Sequence, residues 1–502
     1  MVLAITLPAA AFENEFGGYF RTRFYSEQNF SGDTSDKQDE TLIDTRTRLF
    51  YTAKFSDNLK FVNKFEFNTN WGQDGSYGQL SADSVYNYNY FRVKNSYVDF
   101  KLGEQQFKVG VQGLELNRGF VLSDDVSAVF ANFKVNDALY LPLIYAKVFS
   151  NTGGNTTASC VPGKTTVKYP DGTTDTLDDS RFDVDAYVFQ PMWYINKDNL
   201  LKVNVATIQS DNMFLASART PTPATGATGA NPVAGNLDPL EGTKLNFWSA
   251  AVDYDGKFDN FTFGATAIKQ FGSLDDPMFL NSNVDSLNFN GYLLNLFGAA
   301  AVGPANFRLK GIYASGEKTQ SSGTTTQNSA TPFDRGSNNY DQYMTLGNPE
   351  SSGTSYYWAE ILGAGIFDNQ TPAGTSGDHI TDYIIGNAGF DYKLLPDLKA
   401  ALDVYYVRLA DDRNLSPYSY TMLTGRTNWS SDVGTELDLD ITYTLVDNLK
   451  LDLVGAYCWA GDVINKAVYT TTGTNKAGQV TSFTYAPSAN PIEFGTQLSL
   501  AF

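Results

Sequence analysis

The sequence predicts an all-β fold: a transmembrane antiparallel β-barrel of about 18 strands, with short periplasmic turns and long extracellular loops. Three observations predict it. Short segments alternate apolar and polar side chains, tight Asp/Asn/Gly turns alternate with long polar loops along the 502 residues, and the chain ends on an aromatic residue. In such barrels the alternation separates a lipid-facing side from a polar lumen.

The last strand shows the alternation most clearly. From Ile492 to Phe502, apolar residues occupy one face, with Thr496 as the one exception, and Glu493 and Gln497 lie on the other face. Such a strand is also found at the edge of a soluble sheet. One alternating strand alone does not show whether its polar face meets bulk water or the lumen of a barrel. The recurrence of the pattern along the chain therefore carries the prediction.

The strand count follows from the turns. Eight tight turns join sixteen strands, and the two terminal strands bring the number to eighteen. Units of unequal length disfavour a propeller or solenoid. A bare sheet edge is costly in hydrocarbon, so the last strand is expected to pair with the first. The turns lie near Ser56–Asn58, Leu102–Glu104, Asn136–Ala138, Asn196–Asn199, Asp255–Asn260, Gly303–Asn306, Leu395–Asp397 and Val446–Asn448.

Long polar segments separate these hairpins on the opposite side of the predicted barrel. They are rich in Gly, Ser, Thr and Asn, as extracellular loops commonly are. The predicted loops are Trp71–Tyr90, Gly113–Val126, Ser150–Arg181, Ser210–Thr243, Gly272–Leu287, Glu317–Thr381, Asp411–Ser431 and Gly461–Pro491.

The N-terminus indicates export. Met1–Ala11 is apolar and ends in three alanines, which resembles a signal peptide that lacks its basic beginning. We therefore expect residues 1–11 to be a residual signal peptide and residues 12–502 to be a single outer-membrane barrel domain. A buried N-terminal segment is the alternative.

Composition and charge narrow the function. The formal net charge of −19 disfavours a nucleic-acid partner. With one histidine, His379, and no supporting motif, no enzyme activity is predicted. Cys160 and Cys458 are too few for a disulfide scaffold, and both a single bond and two free thiols stay open.

The alternation rule assigns charged side chains to the lumen, where they avoid the cost of facing lipid. A transverse field that orients solutes is the functional interpretation, and simple charge pairing along a polar wall is the alternative. The predicted pore-lining residues are Arg21, Arg23, Arg46, Arg48, Lys64, Asp183, Asp185, Glu436, Asp438, Asp440, Asp452 and Glu493.

Two loop features are candidate sites. The predicted loop Gly113–Val126 mixes apolar residues with charges and could fold inward as a constriction, with an ordinary external loop as the alternative. Its charged residues are Glu115, Arg118, Asp124 and Asp125. Acid pairs such as Asp411-Asp412 could hold Ca²⁺ but lack the spaced ligands of a dedicated site, so solvated charge is favoured and no cofactor is predicted.

Several segments resemble the alginate-export-like group of outer-membrane porins. They are YFRTRFYSEQNF, DTRTRLFYTAKFSDNLKFVNKFEF, NSYVDFKLGEQQFKVGVQGLELNRG and VGTELDLDITYTLVDNLKLDLVGAYCWAGD. The resemblance implies an eighteen-stranded barrel that passes solutes, with Phe502 as the terminal aromatic that assembly machinery recognises. In the group's namesake the lumen is cationic. The predicted lumen residues of this chain carry both signs of charge, and this difference disfavours polysaccharide export.

The sequence therefore predicts a Gram-negative outer-membrane porin, a water-filled channel for passive diffusion of small polar or charged solutes. The alternative is a barrel sleeve or scaffold for an exported polysaccharide or a periplasmic electron carrier. The expected partners are outer-membrane lipid and lipopolysaccharide, the small polar solutes and the outer-membrane assembly machinery. The oligomeric state, monomer or trimer, stays open.

Overall fold

The computed structural model describes most of the chain. The described residues are 12–31, 40–72, 91–149, 165–168, 174–177, 184–210, 244–275, 286–316, 339–345, 356–367, 370–476 and 478–502. The predicted residual signal peptide Met1–Ala11, the predicted pore residue Asp183 and Cys160 lie outside these ranges.

Strands dominate the first part of the described chain. They are β1 (Glu13–Gln28), β2 (Glu40–Ser56), β3 (Leu59–Asn70), β4 (Phe91–Leu102), β5 (Gln105–Leu116), β6 (Leu122–Lys134), β7 (Leu139–Phe149), β8 (Thr165–Lys168), β9 (Thr174–Leu177), β10 (Val184–Phe189), β11 (Met192–Asn196), β12 (Asn199–Ser210) and β13 (Lys244–Phe258). A single 3-10 turn, Asn117–Gly119, joins β5 to β6.

The second part adds twelve strands and two short helices. They are β14 (Phe261–Asp275), β15 (Ser286–Phe289), β16 (Tyr292–Val302), β17 (Ala305–Ala314), β18 (Asn339–Tyr340), β19 (Tyr383–Leu395), β20 (Leu398–Asn414), α1 (Tyr418–Thr424), β21 (Trp429–Val446), β22 (Leu449–Ala460), α2 (Asp462–Asn465), β23 (Tyr469–Thr474), β24 (Val480–Tyr485) and β25 (Ile492–Ala501). Within the described ranges, neither helix has the length and apolar character needed to cross a membrane.

The strands form one closed antiparallel ring of eighteen positions. β10 and β11 share one position, since both pair with β7 and β12. β15 and β16 likewise share the position beside β14. The short strand β18 adds a parallel pairing to β15, and β8–β9 and β23–β24 are separate hairpins. The prediction of an eighteen-stranded barrel is confirmed.

The ring closes where the first strand meets the last. β1 pairs with β25 from Tyr19 opposite Ala501 to Gln28 opposite Ile492. Beyond that ladder, the Gly18 N–H donates to the Phe502 carbonyl at 2.6 Å, and the Phe502 N–H donates to the Gly18 carbonyl at 3.1 Å. A side chain on Gly18 would overlap the Phe502 ring, so this close approach requires glycine. The predicted pairing of the terminal strands is confirmed.

Side chains alternate between an apolar exterior and a polar interior. On the closing strands, Phe24 and Phe494 are exposed outside, whereas Arg23, Glu27 and Glu493 are buried inside. Large apolar side chains are exposed in the same way on strands around the ring. Exposed apolar surface of this extent is stable only against lipid, so the barrel exterior is a membrane-facing surface.

The eight tight turns lie where the sequence predicted them, but several loop boundaries were wrong. The predicted loop Gly113–Val126 is mostly strand, because the β5–β6 ladder continues as far as Leu116 opposite Leu122. Only five residues connect the two strands. The predicted loops Asp411–Ser431 and Gly461–Pro491 contain α1 and the β23–β24 hairpin.

Deleting Phe502 is expected to reduce assembly severalfold, because it removes the last backbone pairing to Gly18 and the terminal aromatic ring. The measurement is the folded fraction in outer-membrane preparations, read from heat-modifiable migration on gels. Phe494→Ala is the matched control, since it removes an exposed ring from the same strand and leaves the terminus intact. Equal folded fractions for the deletion and the control would contradict the role of Phe502.

Candidate functional site

Closure brings acidic and basic side chains together on the inner wall. Across β22, β25, β1 and β2, Asp452 stands opposite Gln497, Gln497 opposite Arg23, and Arg23 opposite Asp44. The Arg23 Nε donates to Asp44 Oδ1 at 2.9 Å. Asp452 accepts a hydrogen bond from the Thr442 hydroxyl at 2.8 Å. One row of inward side chains across these four strands therefore carries both signs of charge.

The basic side of this wall continues along β1, β2 and β3. Arg48 Nε lies 2.7 Å from Glu66 Oε2, and Arg46 Nε donates to Asn68 Oδ1 at 2.8 Å. Arg21 differs, because its Nε and Nη2 atoms are buried and lack a hydrogen-bond partner among the described residues. The ammonium of Lys64 lies 5.2 Å from the Phe50 ring centroid. These two atoms of Arg21 therefore keep unused hydrogen-bonding capacity.

A segment between β18 and β19, residues Tyr356–Phe367, folds inside the barrel and is called the inner loop. Its backbone binds carboxylates of the opposite wall. The Ile361 and Leu362 N–H groups donate to the two Glu436 carboxylate oxygens, at 2.6 and 2.8 Å. The Glu360 N–H donates to Asp438 Oδ2 at 3.1 Å. The predicted lumen residues Glu436 and Asp438 thus point inward and are covered by the inner loop.

The far end of the inner loop is bound to the basic wall. Arg23 Nη1 donates to the Ile366 carbonyl at 2.9 Å and also contacts the Phe367 carbonyl. The inner loop therefore runs from the acidic strand β21 to the arginine-bearing strand β1. Arg23 serves two groups at once, the Asp44 carboxylate and the loop backbone.

Glu360 is a partly buried residue within the inner loop. Its Oε2 accepts a hydrogen bond from the Ile366 N–H at 2.8 Å. Burial, with Asp440 nearby, raises the pKa of Glu360 to about 8. Asp440 itself lies on the inner face of β21, between the exposed Leu439 and the partly buried Ile441.

Residues Asn117–Val121, called the inner turn, connect β5 to β6 and fold inward from that part of the wall. The Asn117 amide donates to Asp253 Oδ2 at 2.8 Å. Arg118 donates to the Tyr254 carbonyl at 2.9 Å and pairs with Asp255 at 2.8 Å. These partners lie on β13, several positions around the ring from β5 and β6.

The other predicted constriction residues are not on the inner turn. Glu115 and Asp124 are exposed at the ends of β5 and β6. Asp125 pairs with Lys94 at 2.8 Å and accepts from the Asn95 amide at 2.6 Å. Of the four charges predicted for this segment, the structure directs Arg118 across the lumen.

An apolar cluster joins the inner turn to the inner loop. Phe120 packs against Tyr356 with ring centroids 4.4 Å apart, and its carbonyl accepts a hydrogen bond from the Tyr343 hydroxyl at 2.8 Å. Trp358 and Leu362 are buried in the same cluster. Two segments from different walls therefore meet inside the barrel and narrow its lumen.

Two inward cations on β17, Arg308 and Lys310, were not predicted from the sequence. Arg308 on β17 lies between Asp391 and Asp403, with Nη2 2.6 Å from Asp403 Oδ2. The next inward residue, Lys310, has its ammonium 4.4 Å from the Tyr356 ring centroid. The alternation Asn306, Arg308, Lys310 was available in the sequence. The inner loop also carried a signal, an apolar run within a polar segment.

The inward prediction for Asp185 is wrong. Asp185 lies on the same face of β10 as Tyr187 and Phe189, which are exposed, whereas Ala186 and Val188 are buried inside. Its carboxylate pairs with the Lys147 ammonium at 3.0 Å and accepts from the Tyr145 hydroxyl at 2.8 Å. A paired charge near the extracellular end of a strand can face outward because the interface there is wet.

Neither histidine nor cysteine is arranged for chemistry in the described part of the chain. The His379 Nδ1 lies 2.8 Å from Asp378, and this contact raises the pKa of His379. Cys458 is buried as a free thiol inside the barrel. Among the described residues, no group of three or more His, Cys, Asp or Glu side chains is placed to hold a metal.

Comparisons with known proteins bear on the fold. No protein-family model and no curated protein matches the chain. Among solved structures it is similar to Pseudomonas aeruginosa OccK9 (OpdG), with a TM-score of 0.51, 11% identity, and coverage of 98% of this chain and 99% of that chain. Acinetobacter baumannii OccAB1 gives 0.50, with 11% identity and 97% of both chains covered. Pseudomonas aeruginosa OpdK, solved with vanillate, gives 0.50, with 9% identity and 98% of both.

These likenesses agree with the closed ring described above. The chain has the fold of the Occ and Opd proteins, a closed antiparallel barrel of eighteen strands. At identities of 9–11%, these similarities establish the fold and say nothing about the substrates of this chain. The likenesses give no support to the alginate-export-like group that the sequence resembled.

Replacing Glu436 with alanine is expected to loosen the inner loop. It leaves two buried N–H groups without acceptors, at a cost on the order of 1–3 kcal/mol each. We expect larger and noisier single-channel currents and faster proteolysis within residues 356–367. Glu15→Ala is the control, because Glu15 is exposed on β1. Unchanged currents and proteolysis would contradict the docking role of Glu436.

Docking of the inner loop is expected to weaken as pH rises. The pKa of Glu360 is about 8 in the folded chain against an ordinary 4.5, so the folded state holds the proton more tightly. The contribution of Glu360 to docking is fully present below about pH 4.5 and is progressively lost up to and through pH 8. Protease sensitivity of the inner loop, measured across this range, tests the prediction. Glu360→Gln keeps an acceptor for Ile366 and should flatten the pH dependence between about pH 4.5 and pH 8; an unchanged pH profile in that variant would contradict the role of Glu360.

Proposed function

We propose that the protein forms a water-filled channel for passive diffusion of small polar or charged solutes across the outer membrane. The observation that carries the proposal is a ring of eighteen strands with a charged inner wall that two inward segments narrow. Barrels of sixteen to eighteen strands enclose an aqueous lumen, whereas eight-stranded barrels are filled by side chains. A narrowed lumen with charged walls favours selection by size and charge.

The placement of charge supports selection of small ions and dipolar solutes. Arg21, Arg46 and Lys64 face the lumen from β1 to β3, and Asp440 and Asp452 face it from β21 and β22. The two groups lie on neighbouring sectors because β25 closes the ring between them. A solute that carries both charges would be oriented as it passes.

A sleeve or scaffold for an exported polysaccharide or an electron carrier is the second candidate function. Such a sleeve needs a wide and smooth lumen. The contact of Phe120 with Tyr356 joins segments from two walls across this lumen, which favours a channel for small solutes. Passage of an alginate-like polymer is disfavoured for the same reason.

The remaining partners belong to the same proposal. Outer-membrane lipid and lipopolysaccharide would contact the apolar exterior, and the assembly machinery would recognise the terminal strand. Both a monomer and a trimer are compatible with a barrel whose ring is closed within one chain.

Planar-bilayer recording of the purified protein tests the channel directly. We expect stable single-channel currents in potassium chloride and a reversal potential in a salt gradient that gives the sign of selectivity. Folded, inserted protein that conducts no current would overturn the channel and favour the sleeve.

Neutralising Arg21 is expected to shift selectivity toward cations. Its Nε and Nη2 atoms have no hydrogen-bond partner among the described residues, so Arg21→Gln removes a positive charge from the inner wall without breaking a hydrogen bond of these atoms. The cation-to-anion permeability ratio should rise by about two- to fivefold, which corresponds to at most about 1 kcal/mol. Arg426→Gln is the control, since Arg426 is exposed beyond the strands. Equal reversal potentials for the two variants would contradict the role of Arg21.

A further inference from the structure

A pocket of about 340 Å³ lies in the lumen wall between β2 and β5. We call it the basic pocket. Four of its lining side chains are cations and one is a carboxylate: Arg48, Lys64, Lys94, Lys108 and Asp125. Its volume is within the range of small-molecule sites in proteins.

Strand irregularities create the space for this pocket. In the β3–β4 ladder, Lys64 stands opposite Asn95, and the next residue, Phe65, stands opposite Val93. Lys94 of β4 is therefore the extra residue of a β-bulge. A bulge re-aims side chains, and here Lys94 reaches Asp125 inside the barrel. On β5, Gly110 has a φ of +130°, and a Cβ there would come within 2.3 Å of the Ser96 carbonyl. No side chain fills the wall at that position.

The charges of the basic pocket do not cancel. Lys94 is paired with Asp125 at 2.8 Å, and Arg48 with Glu66 at 2.7 Å. Neither Lys64 nor Lys108 has a carboxylate within ion-pair distance among the described residues. Two cations in pairs and two without pairs leave a formal charge of two positive units.

The two unpaired ammonium groups are held by aromatic rings instead. Lys64 lies 5.2 Å from the Phe50 centroid, and Lys108 lies 5.8 Å from the Tyr97 centroid. Cation–π contacts fix the position of an ammonium group and leave its charge uncompensated. Both lysines therefore present positive charge to a solute in the pocket without first having to release a carboxylate.

The pocket extends from near the inner turn, where Gly113 and Asp125 line it, toward the periplasmic side, where Lys108 lines it. Lys108 is the fourth residue of β5, which begins at the periplasmic turn, whereas the inner turn follows the last residue of β5. A solute that has passed the narrowed region would meet this pocket before it reaches the periplasm.

We propose that the basic pocket is a binding subsite for a compact dianion, either a phosphate group or a small dicarboxylate. Two uncompensated lysines match two negative charges, and lysine binds phosphate and carboxylate oxygens as a point charge. The subsite deepens the proposed channel function, on which it rests, by naming the class of solute that the lumen retains.

Calorimetric titration of the refolded protein in detergent tests the subsite without any need for conduction. The probes are inorganic phosphate, succinate and acetate in mildly alkaline, low-salt buffer. We expect saturable binding of phosphate, of succinate or of both, and none of acetate. Lys64→Gln/Lys108→Gln should weaken the binding at least about tenfold, or about 1.4 kcal/mol. The probe that gives saturable binding shows whether the subsite takes a phosphate group, a small dicarboxylate or both.

Matched variants separate the pocket from general charge. Lys54→Gln/Lys134→Gln removes two lysines that are paired with turn carboxylates at the periplasmic rim, and should bind as the unmodified protein does. Lys64→Arg/Lys108→Arg keeps both charges and should retain most of the binding. Equal weakening by the pocket and rim variants, equal binding of acetate, or no saturable binding of either dianion would overturn the subsite.

Bilayer recording in chloride distinguishes this failure from failure of the channel. A conducting protein that binds no dianion keeps the channel and loses the subsite. A folded protein that binds phosphate through Lys64 and Lys108 and conducts no chloride keeps the subsite and loses the channel.

Discussion

Backbone pairing around a closed ring is the constraint on which the rest of this structure depends. Hydrocarbon offers no partner to an N–H or C=O group, so each strand must be bonded on both sides. The β1–β25 ladder and the Gly18–Phe502 pair complete that requirement. Closure also decides which side chains become neighbours inside, because it brings the acidic strands β21 and β22 next to the arginines of β1 and β2.

The same constraint explains how a loop can fold inside the barrel. The inner loop has no strand to pair with at its tip, so its N–H groups need other acceptors. Glu436 supplies two oxygens at one end, and Arg23 supplies donors for carbonyls at the other. Some charges of the inner wall therefore hold the inner loop, while others on β1 and β3, such as Arg21 and Lys64, do not contact it. In the proposed channel, these remaining charges act on solutes.

The sequence predicted the ring well because its signal is local. Alternation along each strand and Asp/Asn/Gly turns depend on neighbouring residues, and they yielded the strand number, the closure and the inward positions of Glu436, Asp438 and Glu493. Asp185 was misplaced because the prediction assumed that charges always point inward, although the alternation with Tyr187 and Phe189 places Asp185 on the apolar outer face of β10. An ion pair with Lys147 makes its outward position tolerable.

The interior was harder to predict because its contacts are long-range. Glu436 and Ile361 are far apart in sequence, as are Arg118 and Tyr254, and alternation does not indicate which loop reaches which wall. The predicted constriction segment contributed its five central residues, while the larger inner loop was hidden within a long polar segment. Its apolar run, from Tyr356 to Phe367, was the available signal.

Single-channel conductance of a variant in which Tyr356–Phe367 is replaced by a Gly/Ser linker of equal length tests the central claim most directly. Because the inner loop is proposed to narrow the lumen of a conducting barrel, the conductance of this variant is expected to lie clearly above that of the unmodified protein. Heat-modifiable migration checks that the variant is folded. An unchanged conductance in a folded variant would contradict the narrowing role of the inner loop.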